Sequence, residues 1–328
     1  MDKWLRKQTS FNGGWQFALG DMESGESVSL DDGNWRTLQV PHDWSIEHPV
    51  EESHATGGGG GYVKAGIGWY RKHFFFTEEM KDRKVSLLFD GVFMDSTVYL
   101  NGKQVGGCRY GYSSFTVAMT DALLPGENLL AVRVDNSLQP NSRWYTGSGI
   151  YRNVWLVLHG AVHMDTWGLF CHTNAVYPEQ NLAMLQIRAR IVNDGTTAVR
   201  TGVIHRIRDA EGIQISVSGA PLSLPPGTDG ESMAAPVIRN PHLWSDQEPY
   251  LYTLESTVVV DDQPVDVVST RFGIRSATFD CDRGFLLNGS PVKIKGMCVH
   301  HDCGLTGAVG YRETWERRLN ALKEMGCN

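Results

Sequence analysis

The stretch from Gly284 to Asn328 constrains the fold more than any other part of the chain. It reads GFLLNGSPVKIKGMCVHHDCGLTGAVGYRETWERRLNALKEMGCN. Asn288-Gly289 is a tight-turn signal between Leu286-Leu287 and Val292. Val292 and Ile294 alternate with Lys293 and Lys295, the period of a strand. A glycine-containing loop follows. Trp315, Leu319, Leu322 and Met325 then recur at helical spacing, and Gly326 stands where a helix stops. A lone strand–loop–helix unit cannot bury both of its apolar faces. The pattern therefore predicts the first unit of a (β/α) barrel whose remainder is absent, over residues 277–328. The cluster His300-His301-Asp302 falls just past the expected strand, on the rim where such barrels build their chemistry.

Upstream the period changes. Over residues 1–162 no helical stretch stands out. Lys84–Phe89 and Ser96–Leu100 alternate as strands do, and Asn101-Gly102 is a hairpin signal. Pro125-Gly126-Glu127-Asn128 marks another turn before Leu129–Val134, and Trp155–Leu158 closes the region. Many short strands at regular spacing predict an antiparallel two-sheet sandwich, a jelly roll. Two loops are long for simple connections. Glu51–Gly68 contains five consecutive glycines, Gly57–Gly61, and reads either as a flexible surface loop or as a segment packed over a neighbour. Asp135–Gly149 places Arg143, Trp144 and Tyr145 in a polar, turn-rich segment. Aromatic faces beside fixed hydrogen-bond donors suit a polyol, although the same rings could simply pack beneath the loop.

Residues 163–276 offer further strands at Leu182–Val192, Val199–Arg208, Gln214–Val217, Tyr250–Val260 and Val265–Phe272. Asn193-Asp194-Gly195, Pro225-Pro226-Gly227 and Asp261-Asp262 separate them. This spacing predicts an immunoglobulin-like sandwich with no catalytic constellation. His205 and His242 read as structural, and Trp244 as the anchor of an extended corner.

A formal charge of −7 argues against a nucleic-acid surface. No run approaches the roughly 18 apolar residues of a membrane span. The N-terminus lacks the apolar core of a signal peptide, so a cytoplasmic location is expected. The 6 cysteines are scattered without a CxxC pair, which predicts free, mostly buried thiols.

Several motifs in order carry a family resemblance across essentially the whole chain. They are FNGGWQF (Phe11–Phe17), VPHDWSIE (Val40–Glu47), GIGWYRKHF (Gly66–Phe74) and FDGVFMDSTVYLNGKQVG (Phe89–Gly106). SRWYTGSGIYRNVWL (Ser142–Leu156), NPHLWSDQEPYLY (Asn240–Tyr252), RFGIR (Arg271–Arg275) and GFLLNGSPVKIKGMCVHHD complete the series. The chain resembles the N-terminal part of glycoside hydrolase family 2, nearest the bacterial β-galactosidase branch. That resemblance implies a sugar-binding jelly roll, an immunoglobulin-like domain and then a TIM barrel. Family members are retaining hydrolases, and their two glutamates would lie on barrel strands beyond Asn328. No catalytic residue is therefore assigned to this chain, which alone is expected to be inactive.

His300 aligns with the family histidine that contacts the terminal sugar, and His301 and Asp302 follow as substrate-binding candidates. In the loop before GSGIYR some members carry an acid. This chain has Asn141-Ser142-Arg143-Trp144 there, so Arg143 and Trp144 are the candidate contacts. Successive residues in extended chain point to opposite sides, so a metal shared by His300 and His301 is not expected. No cofactor is expected in this chain. The expected ligand is a β-galactoside, and a homo-oligomer is a further possibility. The competing reading is a carbohydrate-binding or structural module of a related β-glucuronidase or β-mannosidase.

Overall fold

The computed structural model describes residues 5–328 and is mainly β. The chain divides into two units. One comprises Lys7–Leu158 together with Cys298–Met325, and the other is built on His159–Met297 with Gly326–Asn328.

The first unit opens with β1 (Lys7–Ser10), β2 (Trp15–Leu19) and β3 (Arg36–Leu38), followed by a single helical turn, α1 (Gly57–Gly60). β4 (Gly66–Phe75), β5 (Lys84–Phe89), β6 (Ser96–Leu100), β7 (Lys103–Cys108) and β8 (Phe115–Ala118) come next. β9 (Glu127–Asn136) and β10 (Val154–His159) complete the strands. Six form one antiparallel sheet in the order β3-β2-β4-β9-β6-β7, and four form a second, β1-β10-β5-β8.

Alternation decides which side chains face inward. Val85, Leu87 and Phe89 of β5 are buried while Lys84, Ser86 and Leu88 between them are partly open. Ser96, Val98 and Leu100 of β6 do the same. Strands from both sheets share one core with Trp15, Trp44 and Tyr70. Each large side chain so enclosed stabilises the fold by about 1.5–3 kcal/mol. At the β6–β7 turn Asn101 and Gly102 have φ of 53° and 80°. Two successive left-handed residues make the turn whose twist matches the strands it joins.

The second unit contains β11 (Val162–Tyr177), β12 (Leu182–Asn193), β13 (Val199–Arg208) and β14 (Gln214–Leu224). It continues with β15 (Thr228–Ala234), β16 (Val237–Arg239), β17 (Tyr252–Val260) and β18 (Gln263–Phe272). One sheet runs β11-β12-β15 with β16 also on β12, and the other runs β14-β13-β17-β18. Ile187, Leu185, Ile207 and Leu254 lie in one buried cluster, and Met164, Ile191, Val203 and Val258 in another. Asn193 closes the expected turn through its amide, which donates to the carbonyls of Thr197, Leu224 and Pro225.

β19 (Ala277–Asp280), β20 (Gly284–Leu287) and β21 (Ser290–Pro291) form a small antiparallel sheet around the Asn288-Gly289 turn. The strand expected over Val292–Lys295 does not join a ladder. Instead Asn328 binds this extended segment, accepting from Lys295 N at 2.9 Å and donating to Lys293 O at 3.1 Å. The expected helix is present as α2 (Arg312–Glu324), but it has no fully buried residue, and Leu319 and Met325 are exposed.

The 6 cysteines are free, but not mostly buried as expected. Only Cys303 is buried, Cys108, Cys171 and Cys327 are half-buried, and Cys281 and Cys298 are exposed. Their stretches lack the alternation that would turn them inward. No helix among the described residues is long and apolar enough to cross a membrane.

Candidate functional site

The site is organised around a buried carboxylate. Asp43 precedes a short 3-10 turn, Trp44–Glu47, and caps it by accepting from Ser45 N at 3.0 Å. Trp44 anchors the turn by stacking on Phe17, with ring centres 5.7 Å apart. Asp43 is only 2% exposed. Its Oδ1 also accepts from Ser148 N at 2.9 Å, and its Oδ2 accepts from Ala308 N at 2.8 Å and from the Tyr145 hydroxyl. Four donors replace the water that a carboxylate loses on burial. Burial, followed by the negative charge of Asp43, pushes the Tyr145 phenol far above its ordinary range. Tyr145 therefore remains a donor.

Gly147 makes this geometry possible. Its φ is +69°, and an added Cβ would lie 2.5 Å from Ala308 Cβ and 2.6 Å from Asp43 Oδ2. A second clamp lies next to it. His42 Nδ1 is 2.8 Å from the Tyr70 hydroxyl, while its Nε2 faces Arg36 at 2.9 Å and Glu47 at 3.1 Å. Burial lowers the His42 pKa despite the neighbouring Glu47 carboxylate. Neutral His42 with its proton on Nε2 donates to Glu47 and accepts at Nδ1 from the Tyr70 hydroxyl, while Arg36 donates to the same carboxylate at 2.8 Å.

Asp43 thus ties together the Trp144–Ser148 loop and the segment following His300-His301-Asp302. His301 Nε2 lies 3.0 Å from the Thr146 carbonyl. A carbonyl only accepts, so this nitrogen carries hydrogen. The His301 ring packs against Tyr112 at 5.4 Å and Tyr151 at 6.0 Å. His300 is exposed, with its ring 5.8 Å from that of Trp144 at 79°. Trp144 Nε1 donates to the Tyr112 hydroxyl at 2.9 Å.

Three of the five residues selected from sequence, Trp144, His300 and His301, therefore converge. The other two do not join them in ring contact. Arg143 is exposed, and its guanidinium makes no hydrogen bond or ion pair among the described residues. Asp302 turns toward α2: its backbone oxygen accepts from Arg318 Nη1, and its carboxylate lies 3.8 Å from Arg318 Nη2. Sequence reasoning missed Asp43 and Tyr112. Asp43 sits inside the quoted VPHDWSIE motif, but nothing local marks a side chain whose partners lie up to 265 residues away.

The glycine run is also part of this region. It forms the turn α1, closed by Gly61 at φ +84°, and a Cβ on Gly59 would lie 3.4 Å from Ser142 O and 3.5 Å from Arg143 Cα. His301 also lines a cavity of about 780 Å³, with Asn12, Tyr151, Arg152 and Trp315 among its other walls. Potential metal ligands come within 4.8 Å of one another at Asp280, Cys281 and Asp282. There Asp280 already accepts from the backbone of Asp282 and Arg283.

Comparison with known proteins gives two family matches. Residues 8–160 match the family model described as glycosyl hydrolases family 2, sugar binding domain. Residues 169–275 match glycosyl hydrolases family 2. The chain is 40% identical over 324 residues to beta-galactosidase BoGH2A of Bacteroides ovatus, covering 98% of this chain and 38% of that protein. It is 35% identical over 324 residues to a putative beta-glucuronidase of Formosa agariphila, covering 98% of this chain and 30% of that one. Among solved structures, a glycosyl hydrolase family 2 member from Bacteroides cellulosilyticus superimposes with a TM-score of 0.93 at 36% identity, covering 98% of this chain and 42% of the other. The chain thus spans less than half the length of these relatives.

Proposed function

Because the chain belongs to glycosyl hydrolase family 2, we propose that it forms the sugar-facing, non-catalytic part of a retaining β-galactosidase acting on terminal β-D-galactosides. The observation that carries this reading is the convergence of Trp144, His300 and His301 on one loop cluster. His300 offers an exposed imidazole for sugar hydroxyls, and Trp144 offers a ring for sugar C–H groups. Retention needs two carboxylates about 5–5.5 Å apart across the glycosidic bond. In this reading those carboxylates belong to barrel segments beyond Asn328, so the chain binds and orients without carrying a chemical step.

One observation favours a β-glucuronide instead. The unpaired guanidinium of Arg143 could take a uronate carboxylate as a charge-assisted pair. Hydrolysis of nitrophenyl β-D-galactoside and nitrophenyl β-D-glucuronide by the full-length protein separates the two. The galactoside should be cleaved at least tenfold faster, and no cleavage should occur with residues 1–328 alone. Preference for the glucuronide, or turnover by the 328-residue chain, would overturn the proposal.

A further inference from the structure

The loop between β7 and β8 carries two tyrosines, Tyr110 and Tyr112, on either side of Gly111. This loop is held firmly. Gly111 presses on Phe93, where an added Cβ would come within 2.2 Å of the ring, and the Tyr151 hydroxyl donates to Gly111 O at 3.0 Å. Tyr112 is wedged edge-on against Phe93, with ring centres 5.1 Å apart. Tyr110 meets Tyr112 at 5.6 Å and 69°, yet is itself 62% exposed. Trp144 is 41% exposed, and its orientation is fixed by the bond from Nε1 to the Tyr112 hydroxyl. The rings therefore form a row, His300–Trp144–Tyr112–Tyr110.

We propose that Trp144, Tyr112 and Tyr110 form a second saccharide subsite that takes the sugar unit attached to the terminal residue at His300. Two chemical features point to a sugar. Exposed aromatic faces on a rigid loop match the C–H faces of a pyranose. The Tyr112 oxygen already accepts from Trp144, and its own proton has no acceptor among the described residues. A ligand hydroxyl would supply that acceptor, whereas a wholly apolar ligand would leave the donor unpaired. The row begins beside His300, so its far end reaches away from the terminal sugar.

This inference rests on the assignment of His300 to the terminal sugar. The test uses the full-length protein with lactose, a β-linked disaccharide, and with methyl β-D-galactoside, which has no second ring. Tyr110→Ala should lower kcat/KM for lactose about tenfold, as expected for one aromatic contact, and leave the methyl galactoside within twofold. Equal losses on both substrates, or no loss on either, would overturn the subsite. If neither galactoside is cleaved by the parent protein, the galactosidase reading fails separately. Titration with the same two sugars then decides the subsite: tighter binding of lactose, abolished by Tyr110→Ala, supports it, and equal binding overturns it.

Discussion

The backbone N–H of Ala308 donates to the carboxylate of Asp43 at 2.8 Å, joining residues 265 positions apart. The same carboxylate receives Tyr145 and Ser148 from the loop that presents Trp144. One buried anion thus sets the separation between the Trp144 loop and the histidine segment. The relative position of Trp144 and His300 follows from Asp43 rather than from any contact that a sugar must provide.

Asp43→Ala should therefore be among the most damaging single substitutions in this unit. It leaves the N–H groups of Ser45, Ser148 and Ala308 without their acceptor, at about 1–3 kcal/mol for each buried donor. A loss of roughly 3–5 kcal/mol is expected in denaturant unfolding. Asp43→Asn keeps one acceptor oxygen and should lose less.

Gly147→Ala tests the same site through volume. Gly126 provides the control, because it has φ +86° and an added Cβ there meets nothing within 4 Å. Both alanines pay a left-handed strain of about 1 kcal/mol. Only Gly147→Ala pushes Ala308 and Asp43 apart, so only it should weaken sugar binding. Calorimetric titration of the two variants of the full-length protein checks this.

Arg71 makes a different kind of anchor. Its fully buried guanidinium donates to Asp32 at 2.7 Å and to the carbonyls of Gly25, Ser27 and Leu30 at 2.7, 2.9 and 3.0 Å. Burial alone would raise the Asp32 carboxyl, but Arg71 and His73 overcome this and hold it below the usual range. A lysine cannot reach four acceptors in a fork. Arg71→Lys should cost about 3 kcal/mol and expose residues 21–35 to proteolysis. Limited digestion followed by mass spectrometry reads this out.

Acid should weaken the second unit. Burial, then the charge of His163, whose ring centre lies 3.8 Å away, lowers His159 to about 4. Burial also lowers His205 to about 4, and its Nε2 has no partner to receive a new proton. In the unfolded chain both histidines take up protons near pH 6.5. The unfolded state thus binds more protons between about pH 6.5 and 4, so stability falls as pH falls through that window and is flat above it. Each histidine contributes on the order of 2–3 kcal/mol of loss by pH 4. His205→Gln should flatten the slope of Tm against pH, and an unchanged slope would contradict the assignment.

Much of the strand layout was legible because alternation is local. Lys84–Phe89, Ser96–Leu100 and Val199–Arg208 occur with the limits expected. β11 was not anticipated, since its ladder is interrupted between Met164 and Leu169 and between Thr173 and Ala175, which breaks the period of two. β15, reading TDGESMA, has few apolar residues and is a strand because it pairs with β12. Val292–Lys295 had the right alternation but no strand beside it. At the candidate site, Trp144, His300 and His301 were selected through motif wording, and the fold brings them together. Asp43, Tyr112 and Gly147 matter only through partners distant in sequence, which no window can reveal.

The glycine turn α1 has one further consequence. The backbone of Ser142 and Arg143 rests directly on Gly59, with no side chain interposed. A methyl at position 59 would just reach contact with that backbone, whereas any larger group would act as a shim, lifting the loop that bears Arg143 without altering any residue that touches a ligand. Sequence change in a stretch free of functional groups could in this way retune which sugars are accepted.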